Sequence, residues 1–547
     1  MGVPIYFFVN YTGTGAGTVD RFQNVEEECK LLFSIKLYFS EEDHMSGRRL
    51  SEYVAYLEEN GLLAEEPAGA LPADRTVEHL SFDSRDVTEG TLFVCKGEHF
   101  RQEFLVSAAR SGAFCYLSEK EYPAAGIPCI PVKDIRKSMA MLANFHYEDP
   151  WTRIPVIGIT GTKGKSSTAY FVKSVLDCYM EKTGGKETGI ISSIDTYDGR
   201  ERFESHLTTP EPIDLERHFS NALKEGLSFV TMEVSSQALK YDRVLGVRFA
   251  AGAFLNIDYD HISPIEHPDW EDYFTSKLAL FRQCEKAVVN LDSDHIDRVL
   301  KAAEEAGSLI TFSEKDENAD FFGFNVRKDR EDTVFCVRSG GEVREYRLGV
   351  PGLFNVSNAL AAIAICSSFG VPAECIYDGL LRARVPGRME MYPSADGKII
   401  SIVDYAHNRL SFEKLFDSVR TEYPDRRVVI VFGCPGRKAL DRRHDLGQIA
   451  GMRADHVFIT EEDPGEEDVN DICAQIASSV AEQGCPYTIL TDRGDAIRAA
   501  VDSSDVPTVI LITGKGAETR EKRGTEYIPV PSDVEYVTEA LREYDAR

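Results

Sequence analysis

The stretch that most constrains this chain is Gly158-Ile-Thr-Gly-Thr-Lys-Gly-Lys-Ser-Ser-Thr168. It follows Ile154-Pro-Val-Ile157, a short β-branched run that reads as a buried strand. It precedes Ala169-Tyr-Phe-Val-Lys-Ser-Val-Leu176, which has helical spacing. Strand, glycine loop and helix together present backbone N–H groups and a helix N-terminus to phosphate. Gly161, Thr162, Lys163, Gly164, Lys165, Ser166 and Ser167 are the residues expected around ATP. Lys165 would reach the β/γ-phosphates, and the Ser166 hydroxyl would ligate Mg²⁺. The strict pattern G-x-x-x-x-G-K-[ST] is not met, because Ile159 stands where its first Gly belongs. A plain Gly-rich turn is the bland alternative. Three glycines, a lysine and a hydroxyl in register after a strand favour the nucleotide.

At 547 residues the chain is too long for one core, and about 150 residues per domain predicts three or four. With 43% apolar and 28% charged residues it is globular. The net charge of -29 argues against nucleic acid and anionic membrane as partners, so any phosphate site is a local basic pocket. The twelve Cys are scattered without a C-x-x-C pair, which points to buried thiols in the reducing cytoplasm. No apolar run approaches the ~20 residues of a membrane span.

Residues 1–44 form an atypical extension with neither a basic n-region nor a small-residue cleavage site. Met45 precedes an expected helix over Ser46–Glu58 and reads as the natural start. Residues 45–150 read as a small α/β domain with Asp83-Ser-Arg85 just after a strand, by itself a turn with a surface ion pair. Residues 151–384 read as the nucleotide domain. There Phe229-Val-Thr-Met232 delivers Glu233 to a strand end, and Ala253–Ile257 leads to His261. The two strand ends are read as neighbours able to share a metal. Lys277 reads as a solvated helix lysine, and Asn355 and Asn358 as helix caps. Residues 385–547 alternate strands and helices, which argues for a doubly wound sheet. Polar clusters end three of its strands: Asp404-Tyr-Ala-His407, Gly433-Cys-Pro-Gly-Arg437, and Gly514-Lys-Gly516 with Glu518.

In this order these motifs, with Thr208-Thr-Pro210, Met232-Glu-Val-Ser-Ser236 and Pro386-Gly-Arg388, resemble the Mur ligases of peptidoglycan synthesis, and among them the MurE type. The resemblance runs from about residue 45 to the end. It implies a three-domain α/β fold: a uridine-nucleotide domain, a central P-loop-like ATPase with a parallel sheet, and a Rossmann-like C-terminal domain that brings the amino acid. It implies an ADP-forming ligase acting on UDP-MurNAc-dipeptide as a cytoplasmic monomer. By motif, Ser84 and Arg85 would touch uridine, and Thr208, Thr209, Ser235 and Arg243 the muramoyl-dipeptide. Asn355, Arg388 and Asp404 would contact ATP. Glu233, His261 and Lys277, the last as a CO₂-derived carbamate, would join Ser166 on magnesium, which reverses the solvated-lysine reading that composition alone gives. Lys165, Glu233, His261, Lys277 and Arg388 would carry the catalysis, and His407, Glu462, Asp463, Gly514 and Glu518 would face the amino acid.

The departures from the family pattern carry their own information. Lys163 stands where the family usually has Asn, Ser166 where it has Thr, Gln237 and Ala517 where it has His. The family's Gly-Gly-Asp-Arg-Asp run is rewritten as Gly433-Cys-Pro-Gly-Arg-Lys438. Glu462-Asp-Pro-Gly465 replaces the Asp-Asn-Pro-Arg of members that add meso-diaminopimelate, whose Arg pairs with the distal carboxylate. Gly465 cannot make that pair, and Glu461, Glu462 and Asp463 suit a side chain ending in ammonium. The expected acceptor is therefore L-lysine, with ornithine or meso-diaminopimelate as alternatives. A folylpolyglutamate-synthetase-like ligase and a non-catalytic nucleotide-binding scaffold are the rival readings.

Overall fold

A computed structural model describes residues 47–64, 70–97, 100–259, 262, 266–329, 332–437 and 440–547. The extension 1–44, the start at Met45 and His261 lie outside the described residues. The first described helix is Leu50–Glu59, four residues later than the apolar spacing predicts.

Three sheets organise the chain. The first has four parallel strands in sequential order: His79–Ser81, Thr91–Val94, Ala113–Ser118 and Cys129–Pro131. Helix Ile135–Tyr147 follows, started by Asp134, whose carboxylate accepts from the N–H groups of Arg136 and Lys137.

The central sheet has eleven strands. Its middle strand, Val156–Thr160, is flanked by Val230–Glu233 on one side and Ala251–Phe254 on the other, all parallel. Strands consisting wholly of buried residues are what a parallel sheet covered on both faces requires. Beyond Ser308–Ser313 the sheet continues through Phe321–Asp329, Asp332–Ser339 and Glu342–Leu348, the last two pairings antiparallel. These strands alternate buried and exposed residues less cleanly, and the sequence reading passed over them. Helix Asn355–Ser368 is apolar on nearly every side, and buried residues from Asn355 to Cys366 pack it into the core.

The third sheet is mixed. Its order is Glu390–Pro393, Ile399–Asp404, Thr508–Thr513, Arg427–Phe432, His456–Ile459 and Tyr487–Ile489. Only the first pairing is antiparallel. The strand that comes last in sequence, Thr508–Thr513, lies between Ile399–Asp404 and Arg427–Phe432, so the crossovers leave in opposite directions there. That reversal opens a crevice at the carboxyl ends of the strands. It brings the three polar clusters, far apart in sequence, to three adjoining strand ends. A hairpin, Arg520–Arg523 with Glu526–Pro529, follows the last of them. One buried apolar cluster runs from Ile157 through helix Asn355–Ser368 to Leu511, joining the central and C-terminal units. Among the described residues no helix is long and apolar enough to cross a membrane.

Candidate active site

The phosphate loop is shorter than its sequence motif. The strand runs on through Gly158-Ile-Thr160, and the helix already begins at Lys165. Gly158 is a packing glycine: a Cβ there would lie 2.8 Å from the Phe249 ring. Gly164 adopts φ +86°, and a Cβ would lie 2.2 Å from the Asn358 carboxamide oxygen. No side chain caps the helix that follows, so its first N–H groups face outward as an anion site needs. Asn256 braces the loop from the neighbouring strand. Its side chain accepts from Lys163 N (2.9 Å) and donates to Lys163 O (3.0 Å). Asn355 and Asn358 are not caps. Asn355 Nδ2 donates to Pro351 O at 2.7 Å, and Asn358 Nδ2 donates to Asn355 Oδ1 at 2.9 Å, both buried. They back the loop from behind.

Two lysines from different elements converge on one carbonyl. Lys165 Nζ donates to Gly161 O at 3.0 Å and Thr162 O at 3.2 Å. Lys277 Nζ donates to the same Gly161 O at 2.9 Å and lies 4.6 Å from the Tyr273 ring centre. Lys277 is 2% exposed, so the solvated-helix reading is corrected: its helix turns that face inward under the loop. The Tyr273 hydroxyl in turn meets Thr162 Oγ1 at 3.0 Å.

Across the loop lies a chain of oxygens. Ser166 Oγ is 3.2 Å from Ser193 Oγ, and Glu233 Oε1 accepts from Ser193 N at 2.8 Å and Ser193 Oγ at 3.1 Å. Glu233 is 1% exposed and belongs to the strand itself. Hard oxygen donors grouped in this way suit Mg²⁺. Ser193 carries no sequence signal of its own; a serine following a short strand looks like any turn residue. The strand leading to His261 does not adjoin that of Glu233, because the loop strand separates them. His267 lies nearby but has both ring nitrogens engaged, with Asp272 at 2.6 Å and Ser236 Oγ at 2.9 Å.

The residues assigned to the sugar-peptide divide into two groups. Thr209 Oγ1 donates to Glu233 O at 2.9 Å and accepts from Ser235 N at 3.1 Å, tying the segment to the strand end. Ser235 caps the next helix by accepting from Ala238 N. Arg243 donates to Thr209 O at 3.1 Å, and Thr208 is half-exposed beside it. In the first unit, Arg85 is exposed and clasps Asp83 with Nε and Nη2, which pulls the Asp83 carboxyl below its ordinary value. Ser84 lies between them.

At the C-terminal crevice, Arg388 stacks on Tyr405 with 4.3 Å from guanidinium carbon to ring centre. Asp404 accepts from Met389 N (2.9 Å) and Ala406 N (2.8 Å). Burial raises its carboxyl, opposed by Arg388 and by Lys163 of the phosphate loop. The nucleotide loop and the C-terminal unit thus share one electrostatic field. Burial drives His407 down to about 3, so the ring is neutral, with Nδ1 2.7 Å from Tyr405 O. The linker turn touches the acceptor turn: a Cβ on Gly387 would lie 2.5 Å from Ala517 N. Tyr405 OH donates to Glu518 at 2.8 Å.

Lys515 ties the acceptor end together. It donates to Asp463 at 3.0 Å, Glu518 at 2.9 Å and Arg520 O at 2.5 Å. Asp463 and Glu518 are therefore already matched to a cation. Glu461 pairs with Arg523. Glu462 differs: it is 8% exposed, no hydrogen bond reaches its carboxylate among the described residues, and burial raises it to about 8. Gly514 lies against it, with a Cβ position 2.1 Å from Glu462 Oε2. A cleft of 140 Å³ opens beside Asp463 and Gly465, lined also by Arg437, Glu466 and Lys522. Thr519 Oγ1 donates to Glu204 at 2.7 Å and Arg520 meets His206, so this end also contacts the central unit.

A three-sheet α/β architecture, a phosphate loop contacted by the half-buried Lys165 and the buried Lys277, and a carboxylate-rich crevice at the C-terminal strand ends define an ATP-dependent ligase. Sequence profiles match accordingly: the Mur ligase middle domain over residues 159–366, and the Mur ligase, glutamate ligase domain over 387–516. The chain is 38% identical over 457 residues to a UDP-N-acetylmuramoyl-L-alanyl-D-glutamate--L-lysine ligase of Enterococcus faecalis, covering 82% of this chain and 88% of the relative. It is 35% identical over 520 residues to a UDP-N-acetylmuramyl-tripeptide synthetase of Lactobacillus acidophilus, covering 91% and 98%. A solved UDP-N-acetylmuramoyl-L-alanyl-D-glutamate--2,6-diaminopimelate ligase has the same fold, with TM-score 0.62 and 21% identity over 91% of this chain and 99% of that one. A folylpolyglutamate synthase of Mycobacterium tuberculosis superposes on less, with TM-score 0.55 and 18% identity over 75% of this chain and 95% of that one. The chain belongs to the Mur ligase family.

Proposed function

We propose that this ligase joins L-lysine to UDP-MurNAc-L-Ala-D-Glu, with ATP cleaved to ADP and phosphate. A carboxylate is a poor electrophile. Its oxygen takes the γ-phosphoryl group of ATP, the bond to the β-phosphate oxygen breaks, and ADP leaves. The acceptor amine then attacks the carbonyl of the acyl phosphate, loses a proton, and phosphate departs. Lys165 and Arg388 balance charge during the transfer. The same cations stabilise the tetrahedral oxyanion.

Ser166, Ser193, Glu233, His261 and Lys277 are the residues that would hold magnesium, Lys277 as a carbamate. Bound there, the ion would neutralise phosphate charge. Lys277 is suited to carbamylation by its place under the loop, buried, with Nζ 2.9 Å from Gly161 O and beside the Tyr273 ring. Asn256, Asn355 and Asn358 keep the loop in shape, and closure of the C-terminal unit brings the acceptor to the site. We place the enzyme in the cytoplasm as a monomer.

The observation that carries lysine is Glu462, a buried carboxyl that no hydrogen bond reaches among the described residues, three residues before Gly465, where an arginine would select a second carboxylate. Such a group gains most from an incoming ammonium. The test is ADP release with UDP-MurNAc-L-Ala-D-Glu while only the amino acid is varied. Lysine is expected to exceed meso-diaminopimelate by at least about a hundredfold in kcat/KM. Faster turnover of meso-diaminopimelate refutes the assignment.

A further inference from the structure

Glu422 has no role in the reaction described so far, yet its place in the fold is unusual. It is the last residue of helix Arg409–Glu422 in the C-terminal unit. A negative side chain is disfavoured at that end of a helix, where the backbone dipole is itself negative. Its side chain is nevertheless only 2% exposed. A buried carboxylate persists where donors surround it. Of the four donors that meet it among the described residues, three come from the central unit. Ser418 Oγ donates to Glu422 Oε1 from one turn back. Leu353 N donates to Oε1 at 3.3 Å, Gly352 N to Oε2 at 3.5 Å and Lys328 Nζ to Oε2 at 3.2 Å. Lys328 Nζ also lies 3.6 Å from the ring centre of Tyr423, the next residue.

Gly352 and Leu353 form the turn that leads into helix Asn355–Ser368. Their carbonyls are used inside it, by Asn355 N at 2.8 Å and Val356 N at 3.1 Å. Their N–H groups point back out of the helix start, and the helix's own N-cap residue makes no side-chain capping bond. Glu422 fills that place from another unit. It sets the negative end of one helix, carrying a carboxylate, against the positive end of the next.

The helix start capped in this way is the one that backs the phosphate loop. Asn355 Nδ2 donates to Pro351 O, Asn358 Nδ2 donates to Asn355 Oδ1, and Gly164 lies against the Asn358 carboxamide. Thr168 Oγ1 donates to the same Asn358 oxygen at 3.4 Å. A continuous run of contacts therefore leads from the C-terminal unit to the loop.

We propose that Glu422 is a positioning residue for ATP: it caps helix Asn355–Ser368 from the C-terminal unit and so holds Asn355 and Asn358 in place behind the phosphate loop. Nucleotide affinity then depends on that unit being docked, and bound nucleotide in return strengthens the docking. This rests on the reading of residues 161–167 as the ATP site.

The test is calorimetric binding of a non-hydrolysable ATP analogue with Mg²⁺ to the full chain, joined to hydrogen exchange and steady-state KM values. Glu422→Ala is expected to weaken the analogue about tenfold, the size of a lost charge-assisted hydrogen bond. Glu422→Gln keeps one carbonyl acceptor and is expected to weaken it about threefold, with a smaller loss in Ser418→Ala, where the carboxylate remains. KM for ATP is expected to rise in step, while KM for the amino acid and for the sugar nucleotide stays within about twofold of wild type. The analogue is expected to slow amide exchange over residues 351–358 in the wild type and not in Glu422→Ala. Wild-type nucleotide affinity in both Glu422 variants overturns the proposal. So does an equal rise in all three KM values, which marks a merely structural seam. If Glu422→Ala does not fold, Glu422→Gln and Ser418→Ala carry the same comparison. Lys165→Ala separates the two readings: wild-type nucleotide affinity in that variant fails the site assignment itself, and the role of Glu422 falls with it.

Discussion

The phosphate loop and the acceptor crevice are built on opposite plans. At the loop the backbone is held by several overlapping contacts from neighbouring elements. Asn256 holds Lys163 from both sides, Lys165 and Lys277 meet on Gly161 O, and Ser193 links Ser166 to Glu233. At the crevice, Lys515 balances Asp463 and Glu518, Arg523 balances Glu461, and among the described residues no hydrogen bond reaches Glu462. A loop shaped for phosphate can be rigid, because its ligand offers the same charge and geometry each time. At the crevice one buried carboxyl keeps its proton up to about pH 8, so its charge is available to a cationic ligand that draws the proton off.

The largest effect expected from this contrast is at the loop. Lys165→Ala should lower kcat by about a thousandfold, since a cation directed at developing phosphoryl charge is lost. Coupled measurement of ADP release reads it; a drop below tenfold would mean that Arg388 suffices.

Glu462→Gln should come next, raising KM for lysine about thirtyfold with KM for ATP unchanged. Its pH dependence sharpens the point. The free lysine ε-ammonium stays charged to about pH 10, whereas Glu462 ionises near 8. KM for lysine should therefore fall as pH rises through about 8, and the Gln variant should lose that dependence. Stability runs the other way. The Glu462 carboxyl stands above its ordinary 4.5, so the folded chain retains a proton that the unfolded chain releases. Its stabilising share is complete below about 4.5 and is lost as pH climbs to about 8. A melting temperature equally pH-dependent in Glu462→Gln would contradict this.

The smallest effect concerns Gly465→Arg. The position has φ +59° and nothing nearer to a Cβ than Gly524 O at 3.6 Å, so the side chain has room but the backbone is strained. That strain costs about 1 kcal/mol. A gain of about tenfold in meso-diaminopimelate turnover relative to lysine is expected. No change in the ratio would place selectivity in Glu462 alone.

The contrast also explains what could be read from residues. Gly164, Lys165 and Ser166 announce a phosphate loop because few other residues fit its backbone. The alternation of apolar runs after residue 385 announces a parallel sheet. Ser193 gives no notice, since its role depends on a turn that happens to lie beside Glu233. Lys277 looks solvated because helical spacing does not reveal that its face lies under the loop. Asn355 and Asn358 look like caps because a helix start is where Asn is commonest, yet both brace a loop that is remote in sequence. The strands from Phe321 to Leu348 are obscured by charged residues on their exposed positions.

The contact of Gly387 with Ala517, one residue from Arg388 and from Glu518, has a mechanical consequence. Arg388 stacks on the Tyr405 ring and Glu518 accepts from its hydroxyl, so one aromatic side chain ties the linker turn to the last strand end. In the proposed reaction a shift of either turn would be carried to the other through that ring, so that a jaw built in this way would grip both of its cargoes in one stroke.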